Sequence, residues 1–338
     1  MKFILVLAAW LAASTTVLGQ SPQPLRIVTT TTQATDLITI LSAGLPDGAL
    51  QITPLMGAGV DPHLYKPTEA DIAAMSAADA IVYSGLHLEG QFDTVFNALS
   101  ERGVQIYALS TPVKQAGYTF GGFRLSDELV NVDDPHFWFD PRNWQLTAEG
   151  AEAFLSALLP EHAERFAANL DVYNQQLTLL YEWATAAMGA VPETQRVLVT
   201  SHDAFQYFGD ALGWDVRGLQ GISTEDEAGV ADIQDIAAFV SERGIPVMFI
   251  ESSVPPDAIE AVHEAVSAGG GSVEIGLKEL YSDAMGAPDD FGGTYIGMIA
   301  QNVSIVIRSF GYDLPPWPDG LEPELPAWLV ALGEEVQQ

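Results

Sequence analysis

The chain has 338 residues, with 13 Lys and Arg against 45 Asp and Glu, a net charge of −32 and no cysteine. That length allows one large domain or two of ordinary size, and 48% apolar residues are enough for a sizeable core. So acidic a balance argues against nucleic acid or an anionic membrane as a partner. Without thiols there are no disulfides, and metal ligands would have to be His, Asp or Glu.

The first residues read as a secretory signal peptide over 1–19. Lys2 is a minimal positive region, Phe3 to Ala13 is an apolar run too short to span a bilayer, and Val17 and Gly19 are small residues before a cleavage at Gln20. No later stretch reaches 18 apolar residues. The expectation is an exported protein, periplasmic or otherwise outside the cytoplasm, with no lipid-anchor cysteine and no transmembrane segment once the signal is removed.

From Leu25 short β-rich runs alternate with helical periods. "RIVTTTT" at 26–32 reads as a strand, followed by a helix over 33–43, and "LQITPLM" at 50–56 as a second strand. His63 lies in the loop beyond it. Pro67 blocks an earlier helix start, and Thr68 with Asp71 has the spacing of a capping box, so a helix begins there. Strands follow at 79–85 and 104–110. Strands alternating with helices predict βαβ units and a parallel sheet.

The texture changes over 161–190, where no Pro occurs and no Gly before Gly189. Apolar residues recur at 166, 170, 173, 177, 180 and 183–184, which predicts one helix of about 30 residues and about 45 Å. A helix that long between two βα regions is a stiff connector. After Pro192 the pattern resumes, with strands at 196–200, 245–253 and 272–277 and a closing helix at 292–311. Strand 196–200 resembles 26–30, each running into a Thr/Ser-rich turn and a helix, so the halves read as weak structural repeats. Residues 314–338 form a Pro-rich, then helical tail.

Ligands of open parallel sheets bind beyond the carboxyl ends of the strands. Of the six histidines, His63, His87 and His202 follow strands, and His136 lies in an irregular Asp/Pro-rich segment closing the first half. His162 and His263 fall in helical patterns and read as ordinary surface residues. Each loop histidine taken alone is unremarkable, but three imidazoles on turns of a cysteine-free chain together suit a first-row metal ion. A carboxylate would complete four ligands. Asp283, Glu251 and the acidic segment 223–229 are candidates, and spacing does not choose among them.

The segments "LMGAGVDPHLYKPTEADI", "YSGLHLEG", "DPHFWFDPRNW", "LVTSHDAFQYFG", "VRGLQGISTEDEAG", "FIESSV" and "LYSDAMG" followed by "GTYIGM" resemble the zinc/manganese solute-binding proteins of ABC importers. The resemblance runs in order from about residue 25 to 311. It implies an α/β fold of two lobes, each a parallel sheet flanked by helices, over 20–160 and 191–313, joined by one long connecting helix. It also implies that the metal is carried between the lobes to a membrane permease by a monomer. Carried over residue by residue, the ligands are His63 of "DPHLY", His136 of "DPHFWFD", His202 of "TSHDAF" and Asp283 of "YSDA". Manganese-type members often have Glu at the third position, where this chain has His. Zinc-specific members often carry a His-rich loop before the second ligand, and the segment here has no His.

Three neutral nitrogens and one carboxylate suit tetrahedral Zn2+, and a bidentate Asp283 would accommodate Mn2+. Zn2+ is therefore expected slightly ahead of Mn2+ as bound cargo. Asp61 and Asp134 have two available roles, bonding the following turn or accepting from a ligand's ring N–H. His87 and Glu89 are candidates for the cleft wall, Glu251 for a support beneath a ligand, and Trp138, Phe139 and Trp144 for packing that keeps the site dry. The alternative function is an exported zinc metallohydrolase on the same histidines, with Glu251 or Glu225 as base. A fourth protein ligand in the position needed by water, and the absence of H-E-x-x-H, count against it.

Overall fold

A computed structural model describes residues 23–126 and 129–333. The expected signal peptide at 1–19 lies outside the described residues. The first lobe is built on β1 (Leu25–Thr29), α1 (Thr32–Leu41), β2 (Leu50–Pro54), α2 (Glu69–Ala77), β3 (Ala80–Tyr83), α3 (Asp93–Ser100), β4 (Gln105–Ala108) and α4 (Thr111–Ala116). Its four strands form one parallel sheet in the order β2-β1-β3-β4. The capping box at α2 is formed: Asp71 N–H donates to Thr68 Oγ1 at 3.2 Å, and Thr68 N–H donates to Asp71 Oδ2 at 2.7 Å. A short antiparallel pair, β5 (Phe123–Arg124) with β6 (Val130–Val132), precedes the second Asp-Pro-His.

Two long helices follow, α5 (Pro141–Leu158) and α6 (Ala163–Met188). Only α6 is expected from the apolar period. α5 has a legible start, since Asp140 caps Arg142 N–H at 2.8 Å and Pro141 stands at the first helical position, where its missing N–H costs nothing. α6 is 26 residues long, about 39 Å. It is shorter than expected because Pro160 starts a 3-10 turn over Pro160–His162 and Gly189 closes the far end. Of the predicted stripe Phe166, Tyr173, Leu177, Leu180, Trp183 and Ala184 are buried.

The second lobe contains β7 (Val197–His202), α7 (Gln206–Leu212), β8 (Asp215–Gln220), α8 (Val230–Arg243), β9 (Val247–Met248), α9 (Asp257–Ala268), β10 (Glu274–Ile275), the closing helix α10 (Tyr295–Ser309) and a one-turn α11 (Ala327–Val330). β7 pairs with β8, and β9 with β10, all parallel. Phe249 N–H donates to Val199 O at 2.8 Å and joins the pairs, which gives the order β8-β7-β9-β10. This repeats the first lobe's order, first strand inside and second at the edge. The expected strands 245–253 and 272–277 are ladders of two residues each. Beyond Met248 the chain turns its N–H to β7, and pairing with the 272–280 segment resumes only at the Glu251–Leu280 bridge.

One apolar cluster runs through both lobes, from Ile27 and Leu37 through Trp144 and Leu177 to Val216 and Phe249. α10 is buried on all sides from Tyr295 to Ile307, and of its buried polar residues Asn302 is held by the backbone of Tyr281. Tyr295 ties it to the first lobe by donating its OH to Trp138 O at 2.7 Å and its N–H to Asp36 Oδ2 at 2.9 Å. The tail lies along α6. Gln176 Nε2 donates to Gly320 O at 2.6 Å, and Trp183 packs edge-on against Trp317. Among the described residues no helix is long and apolar enough to cross a membrane.

Candidate metal centre

His63, His136, His202 and Asp283 converge, one potential ligand atom from each, with all four atoms within 4.8 Å of one another. All four side chains are buried. His63 sits on the loop after β2, His136 before a short 3-10 turn over Phe137–Phe139, His202 at the end of β7, and Asp283 on the loop between β10 and α10. Each lobe therefore contributes two, from the carboxyl side of its strands.

The two Asp-Pro-His segments fold alike. In each the Asp side chain accepts the N–H of the histidine two residues on, Asp61 Oδ1 from His63 at 2.8 Å and Asp134 Oδ1 from His136 at 2.9 Å. They differ in what else the carboxylate does. Asp134 Oδ1 also lies 2.7 Å from His136 Nδ1, so the turn and ring-support roles are both filled there. Asp61 turns Oδ2 across the cleft to accept from Thr224 Oγ1 at 2.6 Å.

Glu251 supports His202 in the same manner, accepting its backbone N–H at 2.9 Å through Oε1 and facing Nδ1 at 2.5 Å through Oε2. A carboxylate on Nδ1 fixes the tautomer and aims Nε2 inward. His136 Nε2 and His202 Nε2 are 3.3 Å apart, and Asp283 Oδ1 is 3.2 and 3.4 Å from them. A tetrahedron with metal bonds of about 2.0–2.1 Å has edges of about 3.3 Å, so three corners already have that spacing. His63 Nε2 and Asp283 Oδ1 are buried without any hydrogen-bond partner. Buried polar atoms are seldom left unpaired, and an ion at the centre would satisfy both. The donor set fits a divalent first-row metal.

Burial opposes charge on all four groups. At His63 it prevails and holds the pKa down at about 3, so this imidazole is neutral. At His136 the neighbouring Asp134 and Asp283 outweigh burial and raise the pKa to about 9. Glu251 and Asp283 likewise outweigh it at His202, whose pKa lies well above the usual value. Asp283 is pushed well below the carboxylate range by His202, His136 and His63, against its burial.

One aromatic ring abuts the site, and others pack in the core near it in sequence. Trp138 stands edge-on to His136 with centroids 5.3 Å apart, Phe139 stacks on Phe205 at 4.5 Å, and Trp144 stacks on Tyr295 at 4.8 Å. The other histidines lie elsewhere. His87 is at the surface with Nδ1 3.4 Å from Asp93 Oδ2, His162 is in the turn before α6, and His263 is on α9. Glu89 fills the crevice between β1 and β3, where it accepts from Thr30 Oγ1 at 2.7 Å and Ser84 N–H at 2.8 Å. The two carboxylates considered as a hydrolytic base are otherwise engaged, Glu251 with His202 and Glu225 with Gln91 at 3.0 Å.

The family model for the periplasmic component A of the zinc-uptake complex, ZnuA, matches residues 27–308. The chain belongs to the ZnuA family. Among ZnuA-family relatives, the zinc-binding protein TroA of Treponema pallidum is 41% identical over 266 residues, covering 78% of this chain and 83% of TroA. The manganese-binding lipoprotein MntA of Bacillus subtilis is 37% identical over 287 residues, covering 85% and 90%. The solved structure of the periplasmic zinc-binding protein TroA superposes with a TM-score of 0.76 at 39% identity, over 85% of this chain and 99% of TroA. The resemblance to the zinc/manganese solute-binding proteins of ABC importers read from the motifs, and the two-lobed α/β class, are both borne out.

Three residues at the ZnuA-type centre carry no sequence signal of their own. Gln33 Nε2 donates to Asp283 O at 3.0 Å, Ser253 Oγ donates to Asp283 Oδ2 at 3.2 Å, and Thr224 holds Asp61. Thr224 lies inside the 223–229 segment singled out for its acids, but its hydroxyl makes the contact.

Proposed function

We propose that the protein captures one divalent transition-metal ion between its lobes, residues 20–160 and 191–313, and delivers it to the permease of an ABC importer. The ligands are the Nε2 atoms of His63, His136 and His202 and Oδ1 of Asp283. The observation that carries this reading is the convergence of these atoms around two buried polar groups that have no other partner. A donor set of three nitrogens and one carboxylate oxygen, three of them already at tetrahedral spacing, favours Zn2+, with Mn2+ second. The relatives named for zinc and for manganese support the same pair of ions. The protein works as an exported monomer, and α6 joins its lobes.

The test is a competition titration of metal-free full chain with Zn2+ and with Mn2+ against a chromophoric chelator. The expected result is one ion per chain and a loss of more than about 100-fold in affinity in His136→Ala and His202→Ala. Binding that survives both substitutions would overturn the reading.

A further inference from the structure

The two carboxyl oxygens of Asp283 have different surroundings. Oδ1 faces the histidines and has no hydrogen-bond partner. Oδ2 accepts from Ser253 Oγ at 3.2 Å, and Ser253 Oγ is 2.7 Å from Ser282 Oγ. A hydroxyl carries one proton. If Ser253 donates to Asp283, Ser282 must donate to Ser253, so the serines form a one-way relay that ends on Oδ2. Ser253 follows two residues after Glu251, which supports His202, so one short turn holds both ligands of the second lobe. Gln33 fixes the backbone of Asp283 from the other side.

We infer that Ser253 is a selectivity-determining positioning residue: by engaging Oδ2 it holds Asp283 as a one-oxygen ligand and keeps the centre four-coordinate. This rests on the metal-capture reading above. Zn2+ is at home with four ligands, whereas Mn2+ is harder and gains from each added oxygen. Without the Ser253 hydroxyl, the carboxyl group is free to rotate Oδ2 towards the ion. The added oxygen would strengthen Mn2+ binding more than Zn2+ binding. Ser253 does not itself touch the ion.

The experiment compares the wild-type full chain with Ser253→Ala and Ser253→Thr. Zn2+ and Mn2+ affinities come from chelator competition, and the number of oxygen and nitrogen neighbours from X-ray absorption of the loaded proteins. In Ser253→Ala the ratio of Zn2+ to Mn2+ affinity should fall about tenfold and the loaded ion should gain one light neighbour. Ser253→Thr keeps the hydroxyl and should match wild type in both readouts. An unchanged ratio, an unchanged neighbour count, or an equal loss for both ions would overturn the inference, the last because a purely structural residue behaves that way. Failure of the wild-type chain to bind either ion would overturn the capture reading as well. Normal wild-type binding with an unaltered ratio in Ser253→Ala overturns the inference alone.

Discussion

Asp61 of the first lobe accepts a hydrogen bond from Thr224 of the second at 2.6 Å, while its other oxygen holds the His63 turn. The least supported histidine is thus tied through one carboxylate to the opposite side of the cleft. Burial and the nearby Asp283 raise the Asp61 pKa, and the Thr224 bond opposes that rise. Thr224→Val keeps the shape and removes the donor. A hydrogen bond to a charged group contributes about 1.5–3 kcal/mol, so the variant should release metal about tenfold or more faster. Stopped-flow transfer to excess chelator measures this, and wild-type release rates would refute the link.

The proposed ligand set separates the histidines sharply. His136→Ala removes a buried group backed by Asp134, whereas His162→Ala changes a turn residue remote from the cluster. The first should cost more than about 100-fold in affinity and the second less than about twofold. Equal effects in a direct titration would defeat the assignment.

Unperturbed histidines would make binding weaken only below about pH 6. The structure moves that window upward. Metal binding needs neutral imidazoles, and in the metal-free site His136 holds its proton up to about pH 9 and His202 holds one well above the usual range. His63, neutral down to about pH 3, releases none. Affinity should therefore climb with pH up to about 9, and at pH 7 the entering ion should displace protons from the site. Calorimetry in two buffers of different ionisation enthalpy counts the protons, and a count of zero would contradict the site electrostatics.

Asp36 offers a pH effect away from the metal. Burial raises its pKa from 3.8 to about 6, against the stabilising Tyr295 N–H. For a carboxyl group raised on folding, the contribution to stability is fully present below pH 3.8 and lost as the pH rises through 6. Asp36→Asn keeps an acceptor for Tyr295 and removes the charge. It should stabilise the fold at pH 7.5 by up to about 3 kcal/mol, less what water around this half-buried side chain screens, and so raise the melting temperature. The gain should shrink at pH 5. A gain independent of pH would assign the effect to something other than this charge.

α6 and the apolar cluster shared by both lobes oppose a wide hinge. Small-angle scattering of metal-free and loaded protein should superpose, with the changes on release confined to the loops carrying His63 and Thr224. A clear drop in radius of gyration on loading would show a rigid-body closure instead.

The parallel sheets and the connector are legible because β1, β2 and α6 carry apolar periods; of the candidate histidines, His63 and His202 stand out because they follow strand ends, and His136 because it repeats the Asp-Pro-His of His63 in an irregular segment. α5, β8 and α8 do not figure among the expected elements, although Asp140-Pro141 is a plain helix start and Trp144, Ala148, Ala151 and Leu155 recur after it at helical spacing. Asp283 needed the family motif, because Glu251 and 223–229 were equal candidates by spacing. Only the fold shows that Glu251 faces Nδ1 of His202 and so serves as its support. The roles of Ser253, Gln33 and Thr224 depend on contacts between residues distant in sequence, which periodicity cannot encode. The Pro-rich, then helical tail carries no functional signal in its sequence, and the structure shows it bracing α6 through Gly320 and Trp317.

The four converging side chains are scattered along nearly the whole fold, from His63 to Asp283. An unfolded chain holds none of them near another and offers an ion only isolated imidazoles and carboxylates. Metal cannot ride along with the newly made polypeptide, and whichever pool surrounds the chain when its last strand and α10 dock is the first to reach the finished centre.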